Sequence, residues 1–132
     1  MKKILVLIAS MLLALVLAAP ANASWGSPWD YFQQVDCGSA PMTGHLSINR
    51  GTGDNSDQLY VEGDINDAGS GAPHGWSWDF YHNGDRSYSG SNSGSFTRDK
   101  LMVNYPGSPE VVKFVAVANN GAKCSQSITV YG

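Results

Sequence analysis

The chain has 132 residues, 42% of them hydrophobic and 14% charged, with a formal net charge of −3 at neutral pH. That length suits a single domain, and the apolar share is enough for a modest core. Basic residues are few and scattered, which removes the electrostatic footprint that nucleic acid or an anionic membrane would need in a partner.

The amino terminus reads as a secretory signal peptide over residues 1–23. Lys2 and Lys3 form a positive start, residues 4–19 are apolar apart from Ser10, and Pro20 breaks the helix. Ala21-Asn22-Ala23 then places small residues where a signal peptidase cuts. The apolar run is shorter than the ~20 residues that span a bilayer, so it reads as a leader and not an anchor. No Cys follows the cut and no Arg pair precedes the run, which argues against a lipoprotein and against twin-arginine export. The expectation is a Sec-type leader and a secreted product, extracellular or periplasmic, with no membrane contact after cleavage. Loss of the two leader lysines leaves six basic and eleven acidic residues in one domain over residues 24–132, a net charge of −5.

The rest of the chain reads as β-strands. Short apolar stretches alternate with clusters of Gly, Ser and Asn, and nothing shows sustained helical spacing. Residues 24–30 are an aromatic lead-in holding Trp25 and Trp29. Residues 31–37 suit a first strand with Val35 and Cys37 on one side. Residues 45–49 place Leu46 and Ile48 together. After a polar loop at 51–57, residues 59–65 alternate cleanly: Leu59, Val61 and Ile65 on one face, Tyr60, Glu62 and Asp64 on the other. A Gly/Ser/Pro loop covers 67–74. Residues 76–82 set Trp76, Trp78 and Phe80 against Ser77, Asp79 and Tyr81. Asn83-Gly84 is a strong hairpin signal, because a type I′ turn needs positive φ at both central positions. The return strand is expected over 86–88, and residues 89–95 read as a flexible loop or a weak edge. Another strand is expected at 100–104. Residues 111–118 and 124–131 form a last hairpin through Asn119-Asn120-Gly121.

Cys37 and Cys124 are the two cysteines of the chain. An even count in an exported protein reads as a disulfide. No Cys-x-x-Cys spacing points to redox chemistry.

Residues 78–85, Trp-Asp-Phe-Tyr-His-Asn-Gly-Asp, resemble strand C and the following turn of an immunoglobulin-like domain. Residues 114–130 resemble its strands F and G, and residues 59–65 its strand B. The resemblance implies an all-β fold, an immunoglobulin-like antiparallel sandwich of about seven strands. Three departures separate the chain from antibody-type domains. Gly63 and Phe114 stand where the inter-sheet cysteines would be, and Val112 stands at the tyrosine-corner position. The actual cysteines fall on the first and last strands, so the bridge is expected to tie the termini together and not to pin the sheets. These departures suit bacterial or fibronectin-like relatives; another β-sandwich or a small barrel fits the same alternation. Such folds are scaffolds, and function does not follow from them.

No catalytic signature is present. His45, His74 and His82 lack metal spacing and read as solvent-facing polar residues, and no Gly-x-Ser-x-Gly elbow occurs. Asp79 and Glu62 could meet as a glycosidase pair only across a sheet face. Asp54-Asn55-Ser56-Asp57 and the stretch 64–67 gather oxygen ligands, yet neither matches a calcium loop, and Asp and Asn are ordinary turn residues. The expectation is no enzyme, no cofactor and no metal. Aromatic residues carry the functional hint, since flat rings make sugar platforms and protein hot spots. Tyr81, Tyr88, Trp29 and Trp25 are the expected ligand contacts. The reading is a non-catalytic binding module for an extracellular protein or an extracellular or cell-envelope glycan. Its alternatives are a small inhibitor or toxin-like effector inserting residues 90–94 or 67–74 into a partner and, further off, a small hydrolase.

Overall fold

The structure, a computed structural model, describes residues 29–67 and 74–131. Eight strands occur among them: β1 (Tyr31–Gln34), β2 (Thr43–Arg50), β3 (Gln58–Asn66), β4 (Gly75–His82), β5 (Asp85–Ser93), β6 (Phe96–Val103), β7 (Glu110–Ala118) and β8 (Lys123–Val130). They form two antiparallel sheets, ordered β1-β2-β3-β6 and β5-β4-β7-β8. This all-β sandwich is compatible with an immunoglobulin-like fold. Leu46 and Ile48 of β2, Leu59, Val61 and Ile65 of β3, and Trp76, Trp78 and Phe80 of β4 all turn into the space between the sheets, as period-two alternation requires.

The two positions singled out by the resemblance meet across that core. Phe114 lies so close over Gly63 that a Cβ on Gly63 would stand 2.8 Å from two of its ring carbons and 2.9 Å from Phe80 Cζ. Phe114 packs at 5.0 Å between ring centroids on Phe80 and at 6.4 Å on Phe96. Aromatic packing on a glycine holds the centre of the sandwich where a disulfide was absent from the sequence.

Four differences from the sequence expectations have local causes. The first strand ends at Gln34, because the chain then changes sheets. Val35 N still donates to Gly44 O, but Asp36 exchanges both backbone hydrogen bonds with Ser125 of β8. The Cys37–Cys124 bridge therefore joins the end of one sheet to the other sheet's edge, and does more than tie termini. Residues 89–93 extend the return strand beyond 86–88 along the sheet edge, which decides for the weak edge over the flexible loop. Gly90 is required there, since a Cβ would stand 2.4 Å from Trp78 Cζ2. That also removes residues 90–93 as an inserting loop. β6 starts at Phe96, ahead of residue 100, and its polar residues hid it from an apolar pattern. The described strands number eight against the seven or so that the resemblance implies, with the short β1, expected from the sequence, on the outside of β2. The Asn83-Gly84 turn has φ of 50° and 88°, as the hairpin signal demanded.

Candidate functional site

The outer face of the first sheet is a regular grid. One row of cross-strand neighbours runs Asn49, Tyr60, Leu101. The next runs Phe32, Ser47, Glu62, Asp99, and the next Gln34, His45, Asp64, Thr97. Phe32 stacks on the His45 ring at 4.6 Å. Half-buried Trp29, just before β1, lies on this face. With Tyr60, Glu62, Asp99 and Leu101 it lines a shallow concavity of about 460 Å³, completed by Val61 and Lys100. Tyr60 and Leu101 expose 39% and 48% of their surface there, which is ample for contact with a ligand.

Glu62 and Asp99 sit directly opposite each other, an arrangement that normally costs stability because like charges repel. Partial burial, then the hydrogen bond and charge of Asp99, then the charge of Asp64 push the Glu62 carboxyl up from 4.5 to about 7. Burial also raises Asp64, against the lowering pull of His45 3.5 Å away. At neutral pH the Glu62–Asp99 pair shares a proton for part of the time, so it both donates and accepts hydrogen bonds.

That shift has a consequence for stability. The folded chain holds the Glu62 proton to a higher pH than the unfolded chain, so between pH 4.5 and 7 the native state binds more protons. Stability conferred by this group is present below pH 4.5 and is lost as pH rises to about 7. Water screens the half-open pair, which holds the loss to on the order of 1 kcal/mol. Glu62→Gln is expected to flatten this part of the profile in urea denaturation at pH 5 and pH 8. Parallel profiles for parent and variant would refute the assignment.

The four expected ligand contacts do not come together. Trp29 lines the concavity. Tyr81 is half-buried on the outer face of the second sheet, beside Lys113. Tyr88 pairs with Phe80 and closes the gap between β5 and β6: its hydroxyl donates to Leu101 O at 2.5 Å, and Lys100 Nζ sits 5.0 Å above its ring. Trp25 lies outside the described residues. Asp79 pairs with Arg86 at 3.3 Å on the second sheet, with the whole core between it and Glu62, so those two carboxyls form no catalytic pair.

His74 and His82 are not the solvent-facing residues expected from the sequence. His82 Nε2 meets the buried Glu110 carboxyl at 2.7 Å, and Tyr105 N donates to the other oxygen of that group at 3.1 Å. The buried Asp67 carboxyl accepts from His74 N at 2.7 Å and Trp76 Nε1 at 3.2 Å, and faces His74 Nδ1 at 2.9 Å. Both carboxyls replace lost water with several hydrogen bonds, as buried polar groups require. They fasten the ends of connections between the sheets. The oxygen-rich stretch 64–67 is divided, since Asp64 turns to His45 and Asp67 to His74 and Trp76. Asp99 falls outside the strand expected over 100–104; extending the alternation back from residue 101 places it outward, while its position opposite Glu62 comes from the β3–β6 register.

No protein-family model, no curated protein and no solved structure matches the chain.

Proposed function

We propose that the chain is a non-catalytic binding module, exported on residues 1–23, whose immunoglobulin-like domain takes an extracellular glycan on the outer face of the first sheet. One observation carries the reading: Trp29 and Tyr60 flank two hydrogen-bonding carboxyls, Glu62 and Asp99, in one open concavity. Flat rings give a sugar apolar contact at small entropic cost, and paired carboxyls accept from its hydroxyls. The open shape suits a chain-like ligand lying along a sheet better than one enclosed in a pocket.

The same carboxyls argue for binding over hydrolysis. A retaining glycosidase needs its two carboxyls about 5–5.5 Å apart and flanking the scissile bond. Glu62 is hydrogen-bonded to Asp99 itself, which leaves no room for a sugar between them.

Trp76 and Trp78 are buried, so a ligand-dependent change in tryptophan emission is expected to come from the lead-in segment. Titration with an oligosaccharide panel should shift that emission, and Trp29→Ala should weaken binding about tenfold, the worth of one aromatic platform. A flat titration across neutral, amino and acidic oligosaccharides would reject the glycan reading. Release of shortened products would restore the hydrolase.

A further inference from the structure

We infer that the glycan held here carries free amino groups, with an ammonium of an amino sugar seated against Glu62 and Asp99 while the sugar ring lies on Trp29 and Tyr60. The inference rests on the glycan reading above and adds the charge class of the ligand.

Its ground is a concavity in which the one cation among the lining residues, Lys100, turns its ammonium away. Glu62 and Asp99 stand opposed across β3 and β6, and among the described residues neither makes an ion pair. The cations nearby are committed elsewhere. Lys100 neighbours Asp99 in sequence, but its ammonium lies 5.0 Å over Tyr88 and 5.6 Å over Trp78, on the inner side of β6. Arg98 donates through both Nε and Nη2 to Asn92 Oδ1, at 3.0 and 2.8 Å. Arg50 reaches Tyr131 O at 3.0 Å and lies 3.8 Å from Asp30. His45 faces Asp64. The face thus presents Glu62, Asp99 and Asp64 against a single histidine, beside two aromatic rings.

That combination selects charge. An ammonium supplies three donors to oxygens that only accept when ionised, and aromatic faces attract the same cation. Uronic and sulfated sugars meet repulsion. N-acetylation removes the charge and leaves the hydroxyl contacts. A cation arriving beside Glu62 favours its ionised form, so binding should expel the proton that the carboxyl pair holds in the free protein.

The test uses the mature secreted chain at pH 6 and three probes: a tetramer of β-1,4-linked glucosamine, its fully N-acetylated counterpart, and tetralysine. The amino tetramer should bind roughly tenfold tighter than the acetylated one, the scale of one or two exposed ion pairs. Its calorimetric heat should vary with the ionisation enthalpy of the buffer, which reports proton release. In an E62Q/D99N variant, whose folding is checked by dichroism, the preference should fall to near unity. Equal binding of the two tetramers, with both sensitive to Trp29→Ala, overturns the amino-sugar inference and leaves the glycan reading standing. Binding of neither tetramer removes the glycan reading and the inference with it. A preference that survives in E62Q/D99N overturns the placement of the ammonium. Tetralysine binding ahead of both sugars overturns the inference in favour of a basic protein segment.

Discussion

Changing Cys37 to Ser should lower the thermal midpoint by on the order of 20 °C. The bridge closes a loop of 87 positions. The chain-entropy treatment credits a loop that long with about 4–5 kcal/mol, against a total of roughly 5–15 kcal/mol for a domain of this size. Location adds to the effect. Beside the bridge, β1 and β8 are held together by the Asp36–Ser125 backbone pair, by Gln126 Nε2 donating to Gln34 O at 2.8 Å, and by the Tyr31–Tyr131 contacts. Those bonds are exposed to water and worth little each. Without the covalent tie this edge of the sandwich should open before the rest, with earlier hydrogen exchange at residues 31–37. Alkylation in denaturant without reductant should find no thiol in the parent and one, Cys124, in the variant. Two reactive thiols in the parent, or a midpoint shift of a few degrees, would remove the bridge from the account.

How far the sequence reveals this molecule depends on what each residue faces. Strands buried on one side are legible: Leu59 to Ile65 and Trp76 to Phe80 alternate because water and core impose opposite demands on successive side chains. β5 and β6 are not, and the reason is the same. At their shared seam the inward side is taken by Lys100 and Arg98 stacked near Trp78 and by Tyr88 bonded to Leu101, so polar residues occupy positions that a pattern reader assigns to the outside. The candidate site inherits that blindness. Alternation places Tyr60 and Glu62 outward, while Asp99, the cross-strand neighbour of Glu62, depends on a register that β6 conceals. His82 and Glu110 lie 28 positions apart and contact each other only because β4 pairs with β7; no local spacing announces them.

Phe114→Ala should cost about 3–5 kcal/mol, since a fully buried ring leaves a cavity that its neighbours fill only in part. Gly63→Ala should cost about 1–3 kcal/mol for the opposite reason. The added methyl would stand within 2.9 Å of Phe114 and Phe80, in a core whose rings already contact one another. The two costs arise from the same few cubic ångströms of space, so they should not add. In the Phe114→Ala background the methyl of Gly63→Ala enters a vacancy, and the double variant should be more stable than the sum of the single effects by about 1 kcal/mol or more. Denaturant midpoints for the four proteins of that cycle decide it. Additivity to within roughly 0.5 kcal/mol would mean that the residues do not touch in solution. The sheets would then be held at their centre by something other than a phenylalanine resting on a glycine.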